Sequence, residues 1–201
     1  MQEKKEVIAA FDFDGTITTK DTLFDFIIFY AGKLQFILGL VILSPILILY
    51  KIGIIKNSRA KEIMFSYFFK GKSINDFDKK CQLYADKINN ILNNTTISEI
   101  ETHTQATHVI IIVSASISNW IKPWAYKNGI SKVIGTEIEI KNGIITGRFA
   151  SPNCYGPEKV NRLKKEYPNR KEYILYAYGD SRGDRELLEY ADHASFMKNK
   201  A

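Results

Sequence analysis

Asp12 and Asp14 stand one residue apart in Asp12-Phe13-Asp14-Gly15-Thr16, directly after the apolar run Val7-Ile8-Ala9-Ala10-Phe11. A buried strand that ends in two carboxylates and a glycine sets acids at the carboxyl end of a strand, where parallel sheets bind ligands. Hydrophobic burial gives no reason to alternate Asp with Phe11 and Phe13. A polar strand end with a turn would also carry an isolated Asp-x-Asp, so the weight rests on residues farther along the chain.

Ser114 closes the apolar run His108–Val113, and Lys159 falls in the first turn of a helix opened by Pro157. Asp180 and Asp184 come after the apolar run Tyr173–Tyr178, within Gly179-Asp180-Ser181-Arg182-Gly183-Asp184. Phosphoryl transfer asks for a nucleophile, an acid for the leaving oxygen and positive charge on the equatorial oxygens. The macrodipole disfavours a lysine in a first helical turn by ~0.3–1 kcal/mol, and a phosphate or the Asp12 carboxylate in front of it would offset that cost. Asp180, Asp184 and Ser114 each also suit an ordinary helix cap.

The elements that must position these residues alternate. The second half reads strand (His108–Val113), helix (about Ile117 to Lys127), a hairpin on Asn142-Gly143, helix (Pro157 to about Tyr167), strand (Tyr173–Tyr178), helix (about Asp184 to Tyr190) and a short strand near Ala194–Met197. This order predicts an α/β fold with a Rossmann-like parallel sheet covered by helices on both faces. Residues 18–105 read as helical throughout, which predicts a helical cap inserted into a core formed by 1–17 and 106–201.

Taken together, the Asp-Phe-Asp-Gly-Thr start, the Val113-Ser114 step, Lys159 and Gly179-Asp180-Ser181-Arg182-Gly183-Asp184 resemble the four ordered motifs of the haloacid dehalogenase superfamily of phosphohydrolases. The resemblance implies that Asp12 attacks phosphorus and that Asp14 protonates the leaving alkoxide and then activates water. It implies a Mg²⁺ held by Asp12, the Asp14 carbonyl and Asp180, with Asp184 holding a metal-bound water. Ser114 and Lys159 would bind phosphate, helped by Ala115, which stands where phosphoserine phosphatases usually have glycine, and by Ser116. Gly15 would let the turn close against the phosphate, where a Cβ would crowd it.

A helical cap between the first two motifs resembles subfamily IB, the branch of phosphoserine phosphatase. Asp21 departs from that enzyme, which places there a glutamate that reads the substrate amine. The closing run from Tyr178 to His193 looks more like the relatives that include phosphatidylglycerophosphatase C. Every expected catalytic position is filled, which argues against a phosphate-binding module without activity.

The cap holds an uncharged run from Leu34 to Tyr50, preceded by Lys33 and followed by Lys51, Lys56, Arg59 and Lys61. A spanning helix needs ~20 apolar residues, and Ser44-Pro45 is expected to kink or split this one. The favoured reading is two helices forming the buried centre of the cap. The alternative is a hairpin dipping into one leaflet, its basic flanks meeting lipid headgroups. A lipid phosphate as substrate would explain the run and its flanks through one cause, and a soluble phosphomonoester is the runner-up.

The 201-residue chain has a net charge of +6, which suits an anionic substrate or membrane surface. No zinc-finger spacing or RNA-binding signature is present, and no nucleic-acid partner is expected. Two cysteines, Cys81 and Cys154, fit a reduced cytoplasmic setting, and the apolar run 34–50 would associate the chain with the inner face of the membrane. The opening six residues lead into too short an apolar run for a secretory signal. His103, His108 and His193 lack ligand spacing, and Trp120 and Trp124, four apart on one helix face, are expected in the core.

Overall fold

The computed structural model describes residues 5–197; Met1–Lys4, part of the segment read above for a secretory signal, lie outside them. Strand β1 (Glu6–Phe11) lies at the centre of a parallel five-stranded sheet. Beside it run β2 (Val109–Ile117) and β3 (Lys132–Thr136) on one side. On the other run β6 (Tyr173–Gly179) and β7 (His193–Phe196), in the order β3-β2-β1-β6-β7. The chain changes direction across the sheet at β1, the kind of switch point where α/β sheets bind ligands.

Both faces of β1 are buried, which explains its unbroken apolar sequence. Ala9 and Phe11 point into one cluster with Ile112, Tyr178 and Trp124. Ile8 and Ala10 point into a second with Val113, Leu175, Val160 and Leu187, which includes residues of α7 (Pro157–Glu166) and α8 (Arg185–Tyr190). Helices α5 (Asn94–Gln105) and α6 (Ser118–Lys127) serve the first face.

Between β1 and β2 come α1 (Thr22–Ala31), α2 (Lys33–Lys51), α3 (Asn57–Phe69), α4 (Ile74–Ile88) and α5. The rings of Phe26, Phe65, Phe69, Phe77 and Tyr84 pack on one another, and Trp120 of α6 stacks on Phe26 with centroids 4.9 Å apart. One continuous apolar core therefore joins α1, α3 and α4 to the sheet. The predicted Asn142-Gly143 hairpin is present as β4 (Ile138–Lys141) and β5 (Ile144–Phe149), with both turn residues at positive φ. Backbone bonds from Gly71 to Ile145, Ile145 to Lys72 and Ile74 to Gly143 fasten it to the segment between α3 and α4.

Two expectations are corrected. The run Leu34–Tyr50 is one continuous helix, and it is largely exposed rather than the buried centre of the helical insert. Pro45 has no N–H for the Val41 carbonyl, but the Ser44 hydroxyl donates to that carbonyl at 2.7 Å, so the helix continues. Only Gly39 and Leu43 are buried, and Leu34 and Val41 are 72% and 65% exposed. The aromatic rings of α1, α3 and α4 supply the core that α2 was expected to provide. The second correction concerns Ser114. The strand β2 runs on to Ile117, and the helix starts only at Ser118, so no helix N-terminus stands beside Ser114.

Candidate active site

Register brings the acids together. Phe11 pairs with Tyr178, and the Asp12 amide donates to the Tyr178 carbonyl at 2.9 Å, which sets Asp12 beside the segment Gly179-Asp180. Asp12, Asp180 and Asp184 each offer an oxygen within 4.8 Å of the others. They line a pocket of about 470 Å³ together with Asp14, Ala115 and Lys159.

Lys159, on the first turn of α7, is 2% exposed and donates to Asp12 Oδ1 at 2.6 Å and to Asp184 Oδ1 at 2.5 Å. Burial alone would lower its pKa, but these two carboxylates hold it above the usual lysine range. Burial pushes Asp12 up to about 7, opposed by Lys159 and reinforced by Asp184 and Asp14. One ammonium does not neutralise three neighbouring carboxylates, so the cluster is short of positive charge.

Asp184 is fully buried, and its second oxygen accepts from the Ser181 amide at 3.0 Å and the Ser181 hydroxyl at 2.8 Å. Both its oxygens are engaged. Asp180 is half-buried, with Oδ1 accepting from the Thr16 hydroxyl at 3.1 Å. Among the described residues, Asp12 Oδ2 and Asp180 Oδ2 receive no protein donor, which leaves two hard oxygen ligands open to a cation such as Mg²⁺.

Gly15 has φ +79°, and a Cβ there would come within 2.6 Å of the Asp180 carboxyl carbon. Asp180 therefore supplies a reason of its own for glycine at this position, beside the approach to phosphate expected from the sequence. The turn is tied by the Thr18 amide and hydroxyl, which donate to the Phe13 carbonyl at 2.9 and 3.2 Å.

Asp14 faces the entry of the insert. Its Oδ1 accepts from the Thr22 amide at 2.8 Å and the Thr22 hydroxyl at 2.5 Å, and its Oδ2 accepts from the Ser116 hydroxyl. Thr22 in turn accepts from the Trp120 indole at 3.1 Å, so that core tryptophan fixes which way the threonine proton points. Sequence reasoning missed Thr16, Thr22 and the link between Ser116 and Asp14. Thr16 stands a few residues after the end of β1, but Thr22 opens α1 and Ser116 lies within β2, so local sequence gives little hint of their link to the acids.

Ser114 is fully buried one residue behind the pocket wall, where its hydroxyl accepts from the Ser116 amide at 3.1 Å; Ala115 is the residue that reaches the wall. Asp21 caps α1 by accepting from the Leu23 amide at 2.9 Å and shares the pocket rim with Lys61. His103 lies in the core, within hydrogen-bonding distance of His108 and of the Tyr178 hydroxyl. Trp124 is buried with its indole donating to Asn89.

Comparison with known proteins bears on the family and the fold. The chain is 29% identical to the protein CicA of Caulobacter vibrioides over 193 residues, 94% of this chain and 85% of that one. A crystal structure of a Bordetella pertussis protein of unknown function superposes with a TM-score of 0.82 at 20% identity, covering 95% of this chain and 89% of that one. The phospho-aspartyl intermediate analogue of a phosphoserine phosphatase superposes at 0.62 with 17% identity, covering 95% and 86%. Residues 9–189 match the family model for haloacid dehalogenase-like hydrolases. With its strand-end acids on a parallel sheet and that match over most of its length, the chain belongs to the haloacid dehalogenase-like hydrolases and is an enzyme of that family.

Proposed function

We propose that the chain hydrolyses phosphomonoesters with Mg²⁺ through an aspartyl-phosphate on Asp12, and that its substrate is a membrane lipid phosphate such as phosphatidylglycerophosphate. The observation that carries the chemistry is the convergence of Asp12, Asp14, Lys159, Asp180 and Asp184 on one pocket. In this reading an Asp12 oxygen forms a bond to phosphorus as the ester P–O bond breaks. Asp14 gives its proton to the departing alkoxide. Water then attacks the same phosphorus, Asp14 takes the water's proton, and phosphate leaves with Asp12 restored.

Lys159 keeps Asp12 Oδ1 fixed and supplies charge beside the phosphoryl oxygens. To reach the leaving oxygen, Asp14 exchanges its bond to Ser116 for one to the substrate. Asp12, the Asp14 carbonyl and Asp180 would hold the Mg²⁺, with Asp184 reaching it through water. When bound, the ion neutralises the phosphoryl oxygens. Ala115, within β2, would flank the phosphate, with Ser114 behind it.

The lipid part rests on α2. It is the one helix among the described residues that is long and apolar enough to cross a membrane, and little of it is buried. Because Gly39 and Leu43 pack inward, we read it as lying in the interface of the cytoplasmic leaflet, with Lys33 and Lys51 at its two ends meeting headgroups. A second reading, a soluble ester like phosphoserine, is favoured by Asp21 and Lys61. Their opposite charges at the rim suit a zwitterion.

Turnover of detergent-dispersed phosphatidylglycerophosphate and of O-phosphoserine, each with Mg²⁺, separates the two. The lipid is expected to be the better substrate by kcat/KM. Strong turnover of phosphoserine with none of the lipid would replace it.

A further inference from the structure

Beside the catalytic pocket lies a wider groove of about 1160 Å³, and the two share Tyr50, Asn57, Tyr155 and Arg182 as common walls. We infer that this groove is a second anion subsite: Lys56 and Arg182 hold a phosphodiester of the substrate while its scissile monoester lies against Asp12. This rests on the phosphatase reading and adds the chemistry of the leaving group.

The charges of the two cavities differ in kind. The pocket gathers carboxylates, whereas the groove has a single acid, Glu62, among its described residues. Glu62 is already engaged: one oxygen pairs with Arg59 at 2.6 Å and the other accepts from the Phe149 amide at 3.0 Å. Arg59 is thereby neutralised. Lys56 and Arg182 have no ion pair within 4 Å among the described residues, and both border the same concavity. A diester carries one negative charge and two acceptor oxygens, which suits two unpaired cations lining one concavity.

Those walls are held in place. The Tyr155 ring packs on Gly183, where a Cβ would come within 2.7 Å of it, and the Gly156 amide donates to the Gly183 carbonyl at 2.9 Å. Across the neck, Asn153 donates to Asn57 at 3.4 Å and Asn57 to the Tyr50 hydroxyl at 3.1 Å. Arg182 rides on the loop that carries Asp184, so an anion held there is tied to the catalytic cluster.

Pocket and groove meet at a polar neck that includes Tyr50, the last uncharged residue of apolar α2, and Gly53 and Ile55 just beyond α2 also line the groove. A lipid that joins a terminal monoester to a diester and acyl chains can set one phosphate in each cavity with its chains near the end of α2.

The test uses soluble short-chain substrates with Mg²⁺, so that membrane attraction adds nothing. Dihexanoyl phosphatidylglycerophosphate carries both phosphates, and dihexanoyl phosphatidic acid carries the monoester alone. Wild-type enzyme is expected to prefer the former in kcat/KM. Lys56→Ala with Arg182→Ala should lower that preference by about 100-fold, roughly tenfold per lost charge-assisted contact. Arg182→Lys should keep most of it, and Lys171→Ala, exposed and outside both cavities, should not move it.

A wild type without preference, or a double variant that slows both substrates equally, would overturn the subsite. In either case Asp12-dependent turnover of phosphatidic acid would leave the phosphatase reading standing. If neither ester turned over, the lipid-phosphate reading would fall together with the subsite, and Asp12-dependent turnover of O-phosphoserine would decide whether the phosphatase chemistry stands.

Discussion

The floor of the pocket and the outer face of α2 are built on opposite rules. At the floor, the buried polar groups have partners: Asp184 uses both oxygens, Lys159 bridges two carboxylates, and Asp14 accepts from Thr22 and Ser116. On α2 the side chains that would stabilise a core face solvent instead. The contrast teaches where each task is assigned. Groups that must hold a geometry are buried and satisfied, whereas surfaces that must meet something else are left uncovered.

Breaking the floor should have the largest effect. Asp14→Asn keeps the bond to Thr22 but cannot exchange a proton, and kcat should fall by ~10²–10⁴-fold. Single-turnover kinetics with p-nitrophenyl phosphate reads this, and a variant as fast as wild type would remove Asp14 from proton transfer.

Lys159→Met leaves two buried carboxylates without their ammonium. Urea denaturation at neutral pH should show a loss of about 3–5 kcal/mol. Unchanged stability would mean that the pair is not desolvated as its burial implies.

Breaking the other side of the comparison requires the outward face of α2. Val41→Ser with Ile42→Ser removes two exposed side chains, each worth about 1.5–3 kcal/mol when fully buried in apolar surroundings. Liposome flotation should weaken by tenfold or more. Equal flotation of variant and wild type would show that α2 does not enter the lipid.

The smallest effect concerns pH. Burial raises Asp12 from the ordinary aspartate value of 3.8 to about 7. Its contribution to the stability of the metal-free fold is therefore fully present below about pH 3.8 and is lost as pH rises through about 7. A cation needs the ionised form, so Mg²⁺ affinity should rise with pH up to about 7 and level off above it, with proton release on binding. Titration calorimetry in buffers of different ionisation enthalpy measures both. A flat profile would contradict the raised pKa.

Much of the floor was legible in the sequence because strand ends carry it. An apolar run ending in Asp names both the element and the place, which is how Asp12 and Asp180 are read, whereas Ser114 follows the apolar run but lies inside β2, which continues to Ile117. Lys159 was legible through a conflict, a cation where the helix dipole disfavours one. Thr22 and Thr16 were not, because their meaning lies in partners 8 and 164 residues away that only the fold selects. The continuity of α2 was hidden for a related reason: whether Pro45 breaks a helix depends on whether the orphaned carbonyl finds another donor, and Ser44 provides it. Its exposure was hidden because composition says that residues are apolar, not which of several apolar segments fills the core.

Mass spectrometry of acid-quenched enzyme during turnover with Mg²⁺ tests the central claim most directly. A phosphoryl group of about 80 Da on the peptide that contains Asp12, absent from Asp12→Asn, is expected from the mass of HPO₃ on an aspartyl nucleophile. The same mass on another peptide, or turnover with no adduct on any, would contradict it.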